Sequence, residues 1–182
     1  MTKSDISSFS PAQNSALNPA LDVRLEVPSD AAWIEALHEH CWGPGRFARA
    51  AFRIRERYGG EGALCLVAEL EGVPVANVKM APINLAGQNG YLLGPLATDP
   101  NRRKLGAGKL LVRTVSAKAF ENPACQFVLL VGDAPYYGPL GFGPTLPNRI
   151  QFPAPVDPER VLVSTRENGM VARLKGSISN WA

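Results

Sequence analysis

The sequence predicts a mixed α/β (α+β) domain in which helices flank a central β-sheet. Segments with strand periodicity and segments with helical periodicity follow one another in the order β-α-α-β-β-β-α-β-α-β. A chain of 182 residues, of which 46% are hydrophobic, is large enough to bury a substantial core without disulfides or metal. Residues 1–20 are rich in Ser, Asn, Pro and Ala and are predicted to form a flexible arm, which leaves residues 21–182 as a single domain.

The first half of the domain begins with a strand at residues 21–27, where apolar and polar residues alternate. Ser29 or Asp30 is expected to cap the helix that follows. Gly59-Gly60 ends a second helix, and two strands then flank Glu71-Gly72, which predicts a hairpin with a two-residue turn. The predicted elements of this half are strand 21–27, helix 31–40, helix 46–58, strand 64–70 and strand 73–80.

In the second half, a strand at residues 91–97 leads into a basic turn and then into a long helix with apolar residues at helical spacing. Asn122-Pro123 ends this helix, and residues 127–131 form the unbroken apolar run that is typical of a buried strand. The remaining predicted elements are a short helix at 135–140 and a closing strand at 160–165, separated by a proline-rich stretch at 143–159 without a predicted element.

The composition argues against several functional classes. The formal net charge is only +3, which does not indicate a protein that binds nucleic acid. No apolar run approaches the length of a membrane span. The sequence contains three widely spaced cysteines, Cys41, Cys65 and Cys125. An odd number of cysteines without close spacing is typical of reduced thiols. The sequence therefore predicts a cytoplasmic protein that binds neither nucleic acid nor a membrane.

The basic turn before the long helix is the most informative segment. Arg102, Arg103 and Lys104 precede Gly106 and Gly108, where the helix begins. The first amides of a helix have no intrahelical partner and carry partial positive charge, and glycines let an anion approach the backbone closely. A bound phosphate explains the basic side chains better than a structural turn, because positive charge opposes the dipole at this end of a helix. The spacing fits neither a P-loop nor a dinucleotide-binding fingerprint.

Two motifs carry a resemblance to a known family. Residues 103–108 read Arg-Lys-Leu-Gly-Ala-Gly, which resembles the acyl-CoA loop of the GNAT (Gcn5-related) N-acetyltransferases. Residues 136–142 are similar to the aromatic-Tyr-x-x-x-Gly-Phe signature near the end of GNAT domains, with Tyr137 in the tyrosine position. The resemblance covers about residues 21–166, and the segment that begins at Gly132 looks most like a YhbS-like branch of bacterial predicted acetyltransferases.

The resemblance implies a mostly antiparallel mixed sheet of six to seven strands with about four helices, splayed between the fourth and fifth strands. The pantetheine arm of acetyl-CoA would pair with the fourth strand, and the pyrophosphate would lie on the loop, with no metal required. The acetyl group would pass to an amine, most simply a small molecule, by direct attack in a ternary complex, with Tyr137 as the acid that protonates the leaving thiolate. The implied donor-binding residues are Leu96, Ala97, Thr98, Arg103, Lys104, Leu105, Gly106, Ala107, Gly108 and Lys109.

Several assignments stay open at this point. Glu69 and Asp99 are weak candidates for the general base, and a water relay or an already neutral amine is the alternative. Tyr136 is expected to pack, whereas Trp42 and Phe47 are as compatible with core packing as with lining an acceptor pocket. The cluster from His38 to Cys41 does not present metal ligands on one helical face. A non-catalytic acyl-CoA sensor of the same fold is the alternative function, and the chain is expected to be a monomer or a homodimer.

Overall fold

The computed structural model describes residues 20–181, so all of the predicted N-terminal arm except Ala20 lies outside the described residues. Seven strands form one sheet in the order β1-β2-β3-β4-β5-β8-β6, and β7 and β9 pair separately. The strands are β1 Leu21–Leu25, β2 Leu64–Leu70, β3 Val73–Leu85, β4 Gln88–Thr98, β5 Phe127–Val131, β6 Gly143–Pro144, β7 Ile150–Gln151, β8 Val161–Thr165 and β9 Gly176–Ser177. The α-helices are α1 Ala31–Trp42, α2 Ala50–Tyr58, α3 Ala107–Glu121 and α4 Ala134–Tyr137.

The sheet confirms the predicted fold. Adjacent strands of the sheet pair antiparallel, except for β4 and β5, which are parallel and are connected through α3. The parallel pair requires a crossover connection, and the long helix α3 provides it. A mixed, mostly antiparallel sheet with four α-helices in the described part of the chain is therefore the architecture that the resemblance implies.

The hairpin of β3 and β4 is longer than predicted. Beyond Met80 the two strands continue pairing to Leu85 and Gln88, so the hairpin includes residues 81–90, for which no element is predicted. Ala86 and Gly87 close the hairpin with φ angles of 50° and 80°, the left-handed geometry of a tight two-residue turn. The prediction ended at residue 80 because a proline and two asparagines interrupt the apolar pattern there, although the segment is buried inside the sheet.

The start of each of the first two helices differs from the prediction. Asp30 precedes α1, but its carboxylate accepts hydrogen bonds from Arg24 and from the amide of Val27 instead of capping the helix. The second helix begins at Ala50 and not at residue 46, because residues 44–48 form a 3₁₀ turn and Arg49 is extended. This turn brings the beginning of α2 close to the end of α1.

Two hydrophobic clusters lie on the two faces of the sheet. Leu111, Val112 and Val115 of α3 pack on one face with residues of β2, β3 and β4. Ile54 of α2 packs on the other face with Phe127 and neighbouring strand residues. Burial of the apolar side of α3 fixes its N-terminus beside the end of β4, which is where the basic turn lies. None of the helices within residues 20–181 has the length and apolar character needed to cross a bilayer.

Candidate active site

Strands β4 and β5 separate after a short paired stretch. They pair only over Gly90–Leu92 of β4, whereas β4 continues to Thr98 along its other neighbour, β3. Gly94 and Pro95 lie together opposite Lys79, so β4 bulges where the separation begins. The edge of β4 that faces β5 is therefore free of strand pairing over residues 93–98, which confirms the predicted splay. Leu96, Ala97 and Thr98 lie on this open edge.

The basic turn consists of a 3₁₀ turn followed by two residues with positive φ angles. The carboxylate of Asp99 accepts a hydrogen bond from the amide of Asn101 at 2.9 Å and starts a 3₁₀ turn over Pro100–Arg102. Lys104 and Gly106 have φ angles of 68° and 91°, so the chain passes twice through the left-handed region before α3 begins. At Gly106 a side chain would be strained, which accounts for the glycine.

The turn presents unpaired donors and unpaired cations. Within residues 20–181 the amides of Leu105 to Lys109 donate no hydrogen bond, and the first amide of this region with an acceptor is that of Leu110, which donates to the carbonyl of Gly106. No basic side chain of the turn forms an ion pair with a described residue. Free amides at a helix N-terminus together with unpaired cations form a site for a phosphate anion.

These features face one cleft of about 940 Å³. All ten residues predicted to bind the donor line it, and so does Tyr137, so the structure brings the whole predicted set together. Six further residues also line it; among them, Arg102 belongs to the basic turn that the sequence predicts to bind an anion, and the sequence leaves Trp42 open between core packing and an acceptor pocket, whereas the tertiary structure alone brings the other four to the loop. These additional lining residues are Cys41, Trp42, Arg102, Arg113, Asp133 and Tyr136.

Tyr137 is held by packing at one wall of the cleft. Its ring lies so close to Gly132 that a Cβ there would overlap it, and it contacts Phe142 edge to face with ring centroids 6.0 Å apart. Burial raises the pKa of Tyr137, and the neighbouring Tyr136 and Asp133 raise it further. The phenol is therefore protonated at neutral pH, as a proton donor must be.

Tyr136 also reaches the cleft, although the sequence suggests a packing role for it. Its side chain is 36% exposed, and its hydroxyl lies 2.7 Å from the position that a Cβ on Gly108 would occupy. The hydroxyl of Thr98 lies 3.3 Å from the same position. Gly108 therefore leaves room for two hydroxyl groups above the first turn of α3. No sequence signal distinguishes the two adjacent tyrosines in this respect.

Neither candidate for the general base lines the cleft. Glu69 accepts a hydrogen bond at 2.8 Å from Arg24, which lies on β1. Asp99 uses its carboxylate within the turn. The one acidic lining residue in the described chain is Asp133, which pairs with Arg160 at 3.2 Å. Among the described residues, the cleft is therefore lined by no carboxylate without an ion-pair partner.

Residues at the end of α1 also line the cleft. Cys41 directs its Sγ at the carbonyl of Thr98 at 3.7 Å, and burial raises the pKa of this thiol. Trp42 packs against His38 and Phe52 and exposes part of its ring to the cleft. His38 is fully buried, and its Nε2 lies 3.2 Å from Oδ1 of Asn77. The described residues contain no group of three or more His, Cys, Asp or Glu side chains arranged to hold a metal ion.

Comparison with known proteins decides the family. The profile of the acetyltransferase (GNAT) family matches residues 31–142, which include the loop and the aromatic signature. The chain belongs to the GNAT acetyltransferase family. The chain is also 29% identical over 131 residues to an uncharacterized N-acetyltransferase, YjhQ, of Escherichia coli K12, with 70% of this chain and 71% of that protein covered.

Solved structures share the fold of this GNAT protein. The YhbS N-acetyltransferase of Escherichia coli, crystallised with CoA, superposes with a TM-score of 0.68 at 22% identity and covers 90% of each chain. A GNAT acetyltransferase of Brucella melitensis in complex with acetyl-CoA gives a TM-score of 0.65 at 24% identity, with 89% of this chain and 96% of that chain covered. The chain therefore shares its fold with these two structures.

Proposed function

We propose that the chain is an acetyl-CoA-dependent N-acetyltransferase that transfers the acetyl group directly to an amine in a ternary complex. The proposal rests chiefly on one observation: the open edge of β4, the free amides of the loop and Tyr137 all face the same cleft. Two structural neighbours of the family were crystallised with CoA or acetyl-CoA, which supports the same donor here.

The cleft fits an acyl-CoA in shape and in chemistry. The amides of Leu105 to Lys109 would donate hydrogen bonds to the pyrophosphate, and Arg103 and Lys104 would add full positive charges beside it. Leu96, Ala97 and Thr98 would pair with the pantetheine arm, because their backbone groups on this edge lack a strand partner. Holding the thioester beside the acceptor contributes to catalysis through proximity and orientation.

Tyr137 would donate a proton to the sulfur of the leaving CoA. Its phenol lines the cleft and is neutral at physiological pH because burial raises its pKa above the usual value of about 10. We therefore expect any loss of rate that comes from ionisation of this acid to occur above about pH 10. The amine would lose its proton to water or react in its neutral form, so the rate would rise with pH until the acceptor amine is neutral.

The test is release of CoA thiol from acetyl-CoA across a panel of amines. Tyr137→Phe would lower kcat by on the order of 10² while leaving the Kd for acetyl-CoA nearly unchanged, because it removes only the proton donor. Tyr136→Phe is the matched control, since it removes a hydroxyl from the adjacent residue of the same cleft. Equal rates for the wild type and Tyr137→Phe would contradict the assignment of the acid.

The alternative is a sensor that binds acyl-CoA without turnover. The lack of a free carboxylate among the described lining residues is the one observation that favours it. Tight binding of acetyl-CoA together with no thiol release on any amine, at any pH up to 9.5, would support the sensor and contradict the enzyme.

A further inference from the structure

The end of α1 and the beginning of α2 meet beside the cleft. Trp42, the last residue of α1, lines the cleft. The Cβ of Ala51 in the first turn of α2 lies 3.1 Å from the position that a Cβ on Gly94 would occupy, so α2 begins directly over β4. Gly94 is two residues beyond Leu92, where pairing of β4 with β5 ends. The beginning of α2 therefore borders the open part of β4.

Arg49 is the charged group at this border. Its guanidinium lies over the ring of Trp42, 5.8 Å from the ring centroid, and its side chain is exposed. No described carboxylate forms an ion pair with it. Two other arginines of the same region do have partners, since Arg46 pairs with Glu35 and Arg53 pairs with Glu56. Arg49 is thus a cation held in place by an aromatic ring and available to an anion.

Arg49 adjoins the cleft through Trp42, and the cleft itself offers little attraction to a cation. Its one acidic lining residue among the described residues, Asp133, is already paired with Arg160. Five basic side chains line the cleft, at positions 102, 103, 104, 109 and 113. The cations of the loop are assigned to the phosphates of the donor, so they do not select the acceptor, and Arg49 is a cation beside the cleft that the donor leaves free.

We propose that the acceptor is an amine that also carries an anionic group, a carboxylate or a phosphate, and that Arg49 binds this group. The inference rests on the proposed function and names its substrate class. The planar guanidinium binds either anion through paired hydrogen bonds, and the indole of Trp42 keeps it oriented. The amine of the bound acceptor would then lie towards the open edge of β4.

The first experiment compares amines that differ only in the anionic group. L-phenylalanine is measured against phenethylamine, O-phosphoethanolamine against ethanolamine, and spermidine represents a polycation, each at the same concentration of neutral amine. We expect kcat/KM to be at least about tenfold higher for the anionic member of the accepted pair. The two pairs distinguish a carboxylate from a phosphate. A preference for the uncharged amines or for spermidine would overturn the proposal.

The second experiment changes Arg49. Arg49→Ala should raise KM for the anionic acceptor about tenfold or more and change KM for its uncharged counterpart less than about threefold, with Arg49→Lys intermediate. Arg53→Ala is the control, because it removes an exposed arginine of α2 that pairs with Glu56. An equal loss for both acceptors in Arg49→Ala would contradict a role in binding the anion.

A binding measurement separates failure of this inference from failure of the proposed function. The wild type and Arg49→Ala, each saturated with CoA, are titrated calorimetrically with L-phenylalanine and with O-phosphoethanolamine. If no amine is acetylated, the proposed function fails, but weaker binding of either compound to Arg49→Ala still supports the anion site. If neither compound binds the wild type more tightly than it binds Arg49→Ala, the anion site is wrong.

Discussion

Replacing Gly108 by alanine is expected to separate the stability of the fold from the binding of the donor. A Cβ at this position would lie 2.7 Å from the hydroxyl of Tyr136 and 3.3 Å from that of Thr98. The closer contact is with the far end of a side chain that is 36% exposed, so the tyrosine can move at little cost. In the first turn of α3, alanine favours the helix over glycine by up to about 1 kcal/mol. The variant should therefore fold with an unfolding free energy equal to or slightly above that of the wild type.

The same methyl group would occupy the cleft beside the free amides of the loop. Because a phosphate must approach these amides closely, we expect the Kd for acetyl-CoA to rise about tenfold or more, which corresponds to about 1.4 kcal/mol. Urea unfolding measures the stability, and isothermal titration calorimetry measures the Kd. Gly60→Ala is the control, because a Cβ there would meet no atom within 4 Å and the residue does not line the cleft.

A double variant tests the geometry further. In Gly108→Ala/Tyr136→Phe the hydroxyl nearest the new methyl group is gone, so any loss of stability from crowding should be reversed while the affinity stays low. A Gly108→Ala protein that is folded and binds acetyl-CoA with the Kd of the wild type would refute the position proposed for the phosphates.

Two further predictions concern the stability of the scaffold. His38 is buried, and its burial, followed in size by the charges of Arg55 and Lys79, lowers its pKa from 6.5 to about 4. As the pH falls, this histidine is therefore protonated in the unfolded chain before it is protonated in the folded protein. Between pH 6.5 and pH 5, the unfolding free energy of the wild type should fall by up to about 2 kcal/mol more than that of His38→Gln. Urea unfolding measures this difference. His40→Gln is the control, because it changes an exposed histidine and should follow the wild type. Asp30 accepts bonds of 2.7 and 2.8 Å from Arg24, which hold its pKa at about 2, so its contribution is present above about pH 4 and is lost as the pH falls towards 2. Asp30→Asn should lower the unfolding free energy by about 2 kcal/mol at pH 7. Glu56→Gln, which removes the carboxylate of an exposed ion pair, should lower it by less than about 0.5 kcal/mol. Equal losses of stability in thermal unfolding would contradict this account.

Local sequence patterns predict most of the fold because they reflect local physics. The two-residue turn at Glu71-Gly72 forms as predicted, with φ angles of 52° and 77°. Gly106 has the positive φ that a glycine before a helix suggests. The extension of β3 and β4 beyond residue 80 was missed, since the burial of a strand that contains Pro82 depends on its neighbours in the sheet.

The residues of the basic loop indicate an anion site, and the resemblance of the loop and of the aromatic signature to GNAT motifs indicates the donor that would bind there. No sequence motif indicates the acceptor side, because it is formed by residues that come together only in the folded structure. Arg49 and Trp42 meet only because a 3₁₀ turn joins α1 to α2. The placement of the Tyr136 hydroxyl over Gly108 likewise depends on the packing of α4 against the beginning of α3. Neither relation follows from the separation of these residues in the chain.

Calorimetric titration of the wild-type protein with acetyl-CoA and CoA, with NADH and ATP as controls, tests the central claim most directly. The account predicts micromolar binding of the two CoA species and no comparable binding of NADH or ATP. It also predicts that Arg103→Ala raises the Kd for both CoA species. A folded protein that binds neither CoA nor acetyl-CoA would contradict the account and would leave only the fold in common with its family.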